Sequence, residues 1–236
     1  MQAVVLAAGD GGRLQPYTSD RPKALLPLRG RLIINHVLDA LQAAGVDDAV
    51  IVVGYCGDQV RRALADLSPC GMRLRFVEND DYLAGNARSL WAAREALAGS
   101  FVLAMSDHIF DPSLLRSLVH QADGRCRLAV DHSVADGRRV DEATRAQVEG
   151  GLVVDLGKAI PRWNALDTGA FWCSQGVFDA ITPAMRDGEL GDVFASLARS
   201  GGLDAVDVTG RRWIDIDTAE DLRQADAMIG ADGRLA

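Results

Sequence analysis

A short apolar run, Ala3-Val4-Val5-Leu6, breaks into Gly9-Asp10-Gly11-Gly12-Arg13-Leu14 and is followed by Pro22-Lys23 and Leu25-Leu26-Pro27. The run reads as a buried strand. The glycines behind it let the backbone turn tightly and bring N–H groups against phosphate oxygens. Arg13 offers a planar fork and Lys23 a compact charge, a pair suited to a triphosphate. A dinucleotide fingerprint does not fit: Leu14 stands where the third glycine of G-x-G-x-x-G belongs, and Arg29 and Gly30 lie about twenty positions on, where an acid is needed. A P-loop does not fit either, because Leu14-Gln15-Pro16 replaces its Gly-Lys-Ser/Thr. Taken alone, residues 6–14 also suit an ordinary glycine-rich strand-to-helix turn, and Pro22-Lys23 tips the reading toward phosphate.

The 236 residues can bury a large core and favour one α/β domain over two small ones. A formal net charge of −8 argues against a nucleic-acid surface, which is built from clustered Lys and Arg, so anionic ligands must be met locally. No apolar run approaches the roughly 20 residues of a spanning helix, and no signal segment precedes the first strand, so no membrane partner and a cytoplasmic protein are expected. Cys56, Cys70, Cys126 and Cys173 form no C-x-x-C pair and read as buried thiols. His36, His120 and His132 show no metal-ligand spacing. Oligomeric state is not encoded in any motif, and a homodimer stays open.

Strand and helix patterns alternate through the first half, as in βαβ units around a largely parallel sheet. A helix is expected over 32–44 with Gly45 as its stop, a strand over 49–53, a helix over 59–67, a strand over 74–77, a helix over 89–97 and a strand over 101–105. At the end of that strand Ser106-Asp107-His108 interrupts the apolar run before a helix over 112–120. In open α/β sheets the ligand crevice lies beyond the carboxyl ends of the strands, so Asp107 is expected to share a cleft with the glycine loop; capping the next turn is its other reading. From Arg127 the strands shorten, with Gly150-Gly151 as a hairpin turn between 146–148 and 152–154. Strands over 167–173, 205–208 and 213–216 and helices over 190–199 and 219–228 complete the pattern. No repeat or linker appears; the second half reads as a lobe on the same sheet.

Trp213-Ile214-Asp215-Ile216-Asp217-Thr218 alternates, which sends Asp215 and Asp217 to one face of a strand. Two such carboxylates repel unless a cation lies between them. Asp217 with Asp107 suits Mg²⁺, which binds through one or two carboxylates plus substrate phosphates. Asp217-Thr218 also reads as the cap of the helix beginning at Ala219, and both roles can coexist. Lys158, after a strand in a cation-poor region, reads either as a second phosphate contact or as a solvent-facing lysine.

Together these residues resemble the nucleotidylyltransferases that join a nucleoside triphosphate to a sugar or alcohol phosphate and release pyrophosphate. The signature L-A-A-G-x-G-x-R-L-x-P-x-T-x-x-x-P-K-x-L-L-P is met at every fixed position from Leu6 to Pro27. Asp107, Lys158 and Asp217 stand where the resemblance expects the first metal ligand, the acceptor-phosphate lysine and the second metal ligand. It implies a single Rossmann-like, glycosyltransferase-A-like domain over 1–236, with a mixed, mainly parallel central sheet and helices on both faces. The nucleotide-binding half would span about 1–125 and the acceptor-binding lobe about 126–236. Gly85-Asn86-Ala87-Arg88-Ser89-Leu90, Ser106-Asp107-His108 and Trp163-Asn164-Ala165-Leu166-Asp167-Thr168-Gly169 look most like cytidylyltransferases acting on inositol 1-phosphate. Phosphocholine cytidylyltransferases and hexose-1-phosphate nucleotidylyltransferases are the alternatives. Ser106 departs from sugar-specific relatives, many of which carry Gly there. Without a hexapeptide tail or membrane domain, the chain is expected to perform the transferase step alone. A nucleotide-sugar sensor without turnover is the reading from a different class.

The resemblance implies roles residue by residue. Arg13 and the backbone of 9–12 would meet the β- and γ-phosphates, Lys23 the charge developing at the α-phosphate, and Asp107 and Asp217 would hold Mg²⁺. Leu6, Ala7, Ala8, Gly9, Gly11 and Gly12, with Asn79, Gly85, Asn86 and Ser89 from segment 78–89, would surround CTP or another nucleotide. Lys158 would orient the acceptor phosphate and Asp167 would accept hydrogen bonds from acceptor hydroxyls. Tyr82, Trp91 and Trp163 keep choline in view, because quaternary ammonium groups are met by aromatic faces.

Overall fold

A computed structural model describes residues 1–65, 71–119, 124–133 and 143–230. Strand β1 (Gln2–Ala7) leads to helix α1 (Ile33–Ala43), β2 (Asp48–Val53), α2 (Gly57–Ala65) and β3 (Arg73–Glu78). Next come α3 (Asn86–Ala92), β4 (Phe101–Met105), β5 (His108–Phe110) and α4 (Pro112–Val119). The second half contributes β6 (Cys126–Asp131), β7 (Arg145–Glu149), β8 (Leu152–Gly157), β9 (Ala165–Cys173), α5 (Gly176–Ala180), α6 (Leu190–Arg199), β10 (Leu203–Asp207), β11 (Trp213–Asp215) and α7 (Ala219–Met228).

Strand β1 is buried on both faces because its side chains alternate between two cores. Ala3, Val5 and Ala7 point into one, with Ile34, Val37 and Leu41 of α1 and Leu114 of α4. Val4 and Leu6 point into the other, with Leu90 of α3 and Val193 and Phe194 of α6. A period of two on the strand and helical stripes on the layers thus explain helices on both faces.

The large sheet runs β3-β2-β1-β4-β9-β6-β10-β8-β7. Its first four strands are parallel, as the βαβ pattern demands. The second half is mixed: β9 runs antiparallel to β4 and β6, β10 is parallel to β6, and β8 is antiparallel to β10 and β7. Strand β7 also pairs back onto β9 at Ala165 and Leu166, so the far end of the sheet closes on itself. The hairpin between β7 and β8 turns on Gly150 and Gly151, at φ of +58° and +83°, the pair of positive angles that a tight antiparallel turn requires.

The departures from the sequence reading have local causes. Helix α3 starts at Asn86 and passes into a 3-10 turn at Ala93–Ala96, so the expected helix over 89–97 begins earlier and tightens at its end. Strand β11 stops at Asp215, because Thr218 and Asp221 form a capping box that starts α7. Strand β5 and helix α5 were not anticipated, both being too short to show a period. Residues 66 and 67 of the expected second helix, Cys70 and His120 lie outside the described residues. Cys126 and Cys173 are buried as expected, whereas Cys56 is half-buried. His36 is buried and bonded to the Leu28 carbonyl at 3.0 Å. Among the described residues no helix is long and apolar enough to cross a membrane.

One fully buried core position lies where the two halves of the sheet meet. Leu103 is fully buried in β4 and lies between Val4 of β1 and Phe171 of β9. Leu103→Ala is expected to cost about 2–5 kcal/mol through lost burial and an unfilled cavity, read as a lower midpoint in denaturant unfolding.

Candidate active site

The first and fourth strands end side by side: Leu6 is in register with Met105, and the Ser106 N–H donates to the Leu6 carbonyl at 3.1 Å. Asp107 therefore leaves the sheet beside the glycine loop. Gly11, at φ +66°, makes that approach possible, since a Cβ there would stand 2.9 Å from the Cβ of Lys23. The loop is braced from within by Thr18, whose hydroxyl donates to the Gly11 carbonyl at 2.9 Å.

A cavity of about 490 Å³ opens over this edge. It gathers Leu6, Ala7, Ala8, Gly9, Gly11 and Gly12, then Arg13 and Lys23, Asn86 and Ser89, and finally Asp107 and Asp217. Two residues expected beside the nucleotide do not line it. Asn79 is buried behind the wall, where its amide donates to the Ser89 hydroxyl at 2.9 Å. Gly85, at φ +117°, is pressed against residue 188; a Cβ would fall 2.2 Å from the Gly188 carbonyl oxygen.

A second cavity of about 930 Å³ holds Lys158 and Asp167. The two cavities share Arg13, Asn86, Met105, Asp107 and Asp217. Tyr82, Trp91 and Trp163 are not on its wall. Tyr82 packs edge-on against Tyr55, Trp91 lies between Arg94 and Arg186, and Trp163 lies under Arg145. The aromatic wall consists instead of Phe171, Phe194 and Trp213, whose indole N–H donates to Asp131 at 2.9 Å.

Where the cavities meet, the Lys23 ammonium lies 2.8 Å from Asp107, 2.7 Å from Asp217 and 3.9 Å from Asp215. Burial alone would push this amine toward neutrality, but the three carboxylates outweigh burial and hold its pKa above the usual lysine value. Arg13, 62% exposed, reaches the other oxygen of Asp217 at 2.7 Å. Burial works against the Asp107 charge too, yet Lys23 and then His108 hold its pKa well below the usual carboxylate range.

The sequence assigns His108 no role; the structure sets it against two of the carboxylates. Strands β5 and β11 place it directly opposite Asp215. Its Nδ1 lies 2.9 Å from Asp107 and 3.5 Å from Asp215. Burial would lower the imidazole, but Asp215 and Asp107 overcome it and raise its pKa to about 9. The ring rests on Gly169, at φ +76°, where a Cβ would stand 2.4 Å from the imidazole Cδ2. Asp215 is pushed up to about 7 by burial, which outweighs the cations facing it.

Three groups here could hold a divalent ion. Asp107, His108 and Asp215 each bring one ligand atom within 4.8 Å of the others, two hard carboxylates and one imidazole, and Asp215 Oδ1 is buried without a hydrogen-bond partner. The sequence points to Asp107 and Asp217; the structure brings both to Lys23, but the group within ligand distance is Asp107, His108 and Asp215, while Asp217 pairs with Lys23 and Arg13.

The two cavities thus meet at a cluster of cations and carboxylates. Across residues 3–202 the chain matches the MobA-like NTP transferase domain, and it belongs to that family. It is 38% identical over 233 residues to a bifunctional IPC transferase and DIPP synthase of Rubrobacter xylanophilus, covering 96% of this chain and 51% of that one. A protein of the same description from Aquifex aeolicus is 31% identical over 223 residues, covering 94% and 50%. The chain thus spans about half the length of these two relatives. The structure of the inositol-1-phosphate CTP transferase from T. maritima superposes with a TM-score of 0.84 at 27% identity, over 96% of this chain and 94% of that one. The fold is the Rossmann-like, glycosyltransferase-A-like α/β architecture expected from the sequence.

Asp167 offers a test of the second cavity. Its carboxylate accepts the Gly169 N–H at 2.7 Å, but burial dominates and raises its pKa to about 6. A carboxyl group raised above its unfolded value near 4 contributes stability that is complete below about pH 4 and lost as pH rises through about 6. Asp167→Asn lacks that proton. Its stability relative to the native chain is expected to improve from pH 4 to 6 and to level off above, followed by urea unfolding across that range.

Proposed function

We propose that this chain transfers a cytidylyl group from CTP to a phosphorylated polyol, with inositol 1-phosphate as the first candidate, and releases pyrophosphate. The observation that carries this reading is the position of Lys23, on the wall of the first cavity and between Asp107 and Asp217, carboxylates from distant parts of the chain that border both cavities. Supporting it are the names of the relatives, an IPC transferase and an inositol-1-phosphate CTP transferase.

The nucleotide-binding half, about 1–125, supplies the first cavity. Leu6, Ala7 and Ala8 wall it, with Ser89 held in place by Asn79, and the backbone of Gly9, Gly11 and Gly12 faces the phosphates together with Arg13. The acceptor lobe, about 126–236, supplies Lys158 for the acceptor phosphate and Asp167 for hydroxyl groups. An acceptor monoester has a second pKa near 6, so its oxygens are largely deprotonated at neutral pH and no strong base is needed to attack the α-phosphorus in line. The barrier is repulsion between two anions, which Lys23 and Arg13 lower. Asp107 and Asp217, with Asp215 and His108 beside them, would hold Mg²⁺, which supplies charge neutralisation and orientation of phosphate oxygens.

Other relatives set the competing substrates: a UTP–glucose-1-phosphate uridylyltransferase of Haloferax volcanii, 30% identical over 242 residues, and a choline-phosphate cytidylyltransferase of Streptococcus pneumoniae, 35% identical over 111. Pyrophosphate release measured with each nucleotide against inositol 1-phosphate, phosphocholine and glucose 1-phosphate is expected to be fastest with CTP and inositol 1-phosphate, and to stop when Mg²⁺ is chelated. No release with CTP would end the cytidylyl assignment. Lys23→Ala is expected to lower kcat/KM by about 10²–10³, and a value near that of the native chain would remove Lys23 from the chemistry.

A further inference from the structure

The segments that open α3 and α6 are matched against each other where the two cavities meet. Asn86 Oδ1 accepts the backbone N–H of Leu190 at 2.5 Å. The Ala87 N–H donates to the Gly188 carbonyl at 3.1 Å, Arg88 pairs with Asp187, and Gly85 has no space for a side chain against Gly188. Asn86 borders both cavities, whereas Glu189, Leu190, Gly191 and Asp192 border the second. The first N–H groups of a helix have no partner within it. In α6 the acceptor for Leu190 comes from a residue 104 positions away, on the helix that borders the first cavity.

We propose that Asn86 is a positioning residue for the acceptor: by holding the Leu190 N–H it fixes the rim 189–192 of the second cavity. The wall of the nucleotide cavity thereby sets where the acceptor lies. Asn86 was assigned to the nucleotide from the sequence, but its side-chain oxygen is committed to the opposite lobe. This inference rests on the proposed placement of nucleotide and acceptor in the two cavities.

Steady-state kinetics with CTP and inositol 1-phosphate, combined with hydrogen–deuterium exchange over 189–192, provide the test. Asn86→Ala is expected to raise the acceptor KM about five- to tenfold and the nucleotide KM less than about twofold, with faster exchange at Leu190. Asn86→Asp keeps an accepting oxygen and is expected to bring both acceptor KM and exchange back to near the native values, which a general loss of packing would not show. Gly85→Ala, which wedges the same junction apart, is expected to raise the acceptor KM as well. A higher nucleotide KM with an unchanged acceptor KM in Asn86→Ala, or equal behaviour of the Ala and Asp variants, overturns the inference while leaving the transferase reading intact. A native chain that is inactive on every acceptor overturns the transferase reading, and this inference with it.

Discussion

One buried ammonium group organises the centre of this molecule. Lys23 comes from the loop after the first strand, Asp107 from the end of the fourth, and Asp215 and Asp217 from the last strand and the turn beyond it. Removed from water, those carboxylates would repel one another and the lysine would lose its charge; together Lys23 and Asp107 hold each other in the charged form, while burial keeps Asp215 easier to protonate. The arrangement thus ties the first and last parts of the chain to a single point.

The sheet is what makes that convergence possible. Parallel β1 and β4 end on the same side, so the glycine loop and Asp107 are delivered to one edge without any long excursion. The β5–β11 ribbon then crosses that edge and carries His108 and Asp215 in register. Glycines at 11 and 169 matter here as points of close approach, to Lys23 and to His108 respectively.

The motif-bearing part of this design was legible in the sequence because it is local. The apolar run, the glycines, Arg13 and Pro22-Lys23 lie within 25 residues, and Trp213–Asp217 announces two acids on one face by simple alternation. The partnership of His108 with Asp215 was hidden because it depends on pairing two three-residue strands about a hundred positions apart. Tyr82, Trp91 and Trp163 suit a cationic ligand by residue type, but in the fold their rings meet Tyr55, Arg94, Arg186 and Arg145, and residue type alone does not show those neighbours. Gly85 and Asn79 stand near the nucleotide cavity in the chain yet support its wall from behind, a distinction that spacing alone does not draw.

At the other end of the large sheet, β3 (Arg73–Glu78) has β2 as its single neighbour among the described strands. An unpaired strand invites another chain to add to it. Here that flank carries Arg73 and Arg75, both tethered to Asp48, and Glu78, tethered to Arg61. Charged side chains along an edge strand make it a poorer template for another copy of the chain than a flat apolar edge would be.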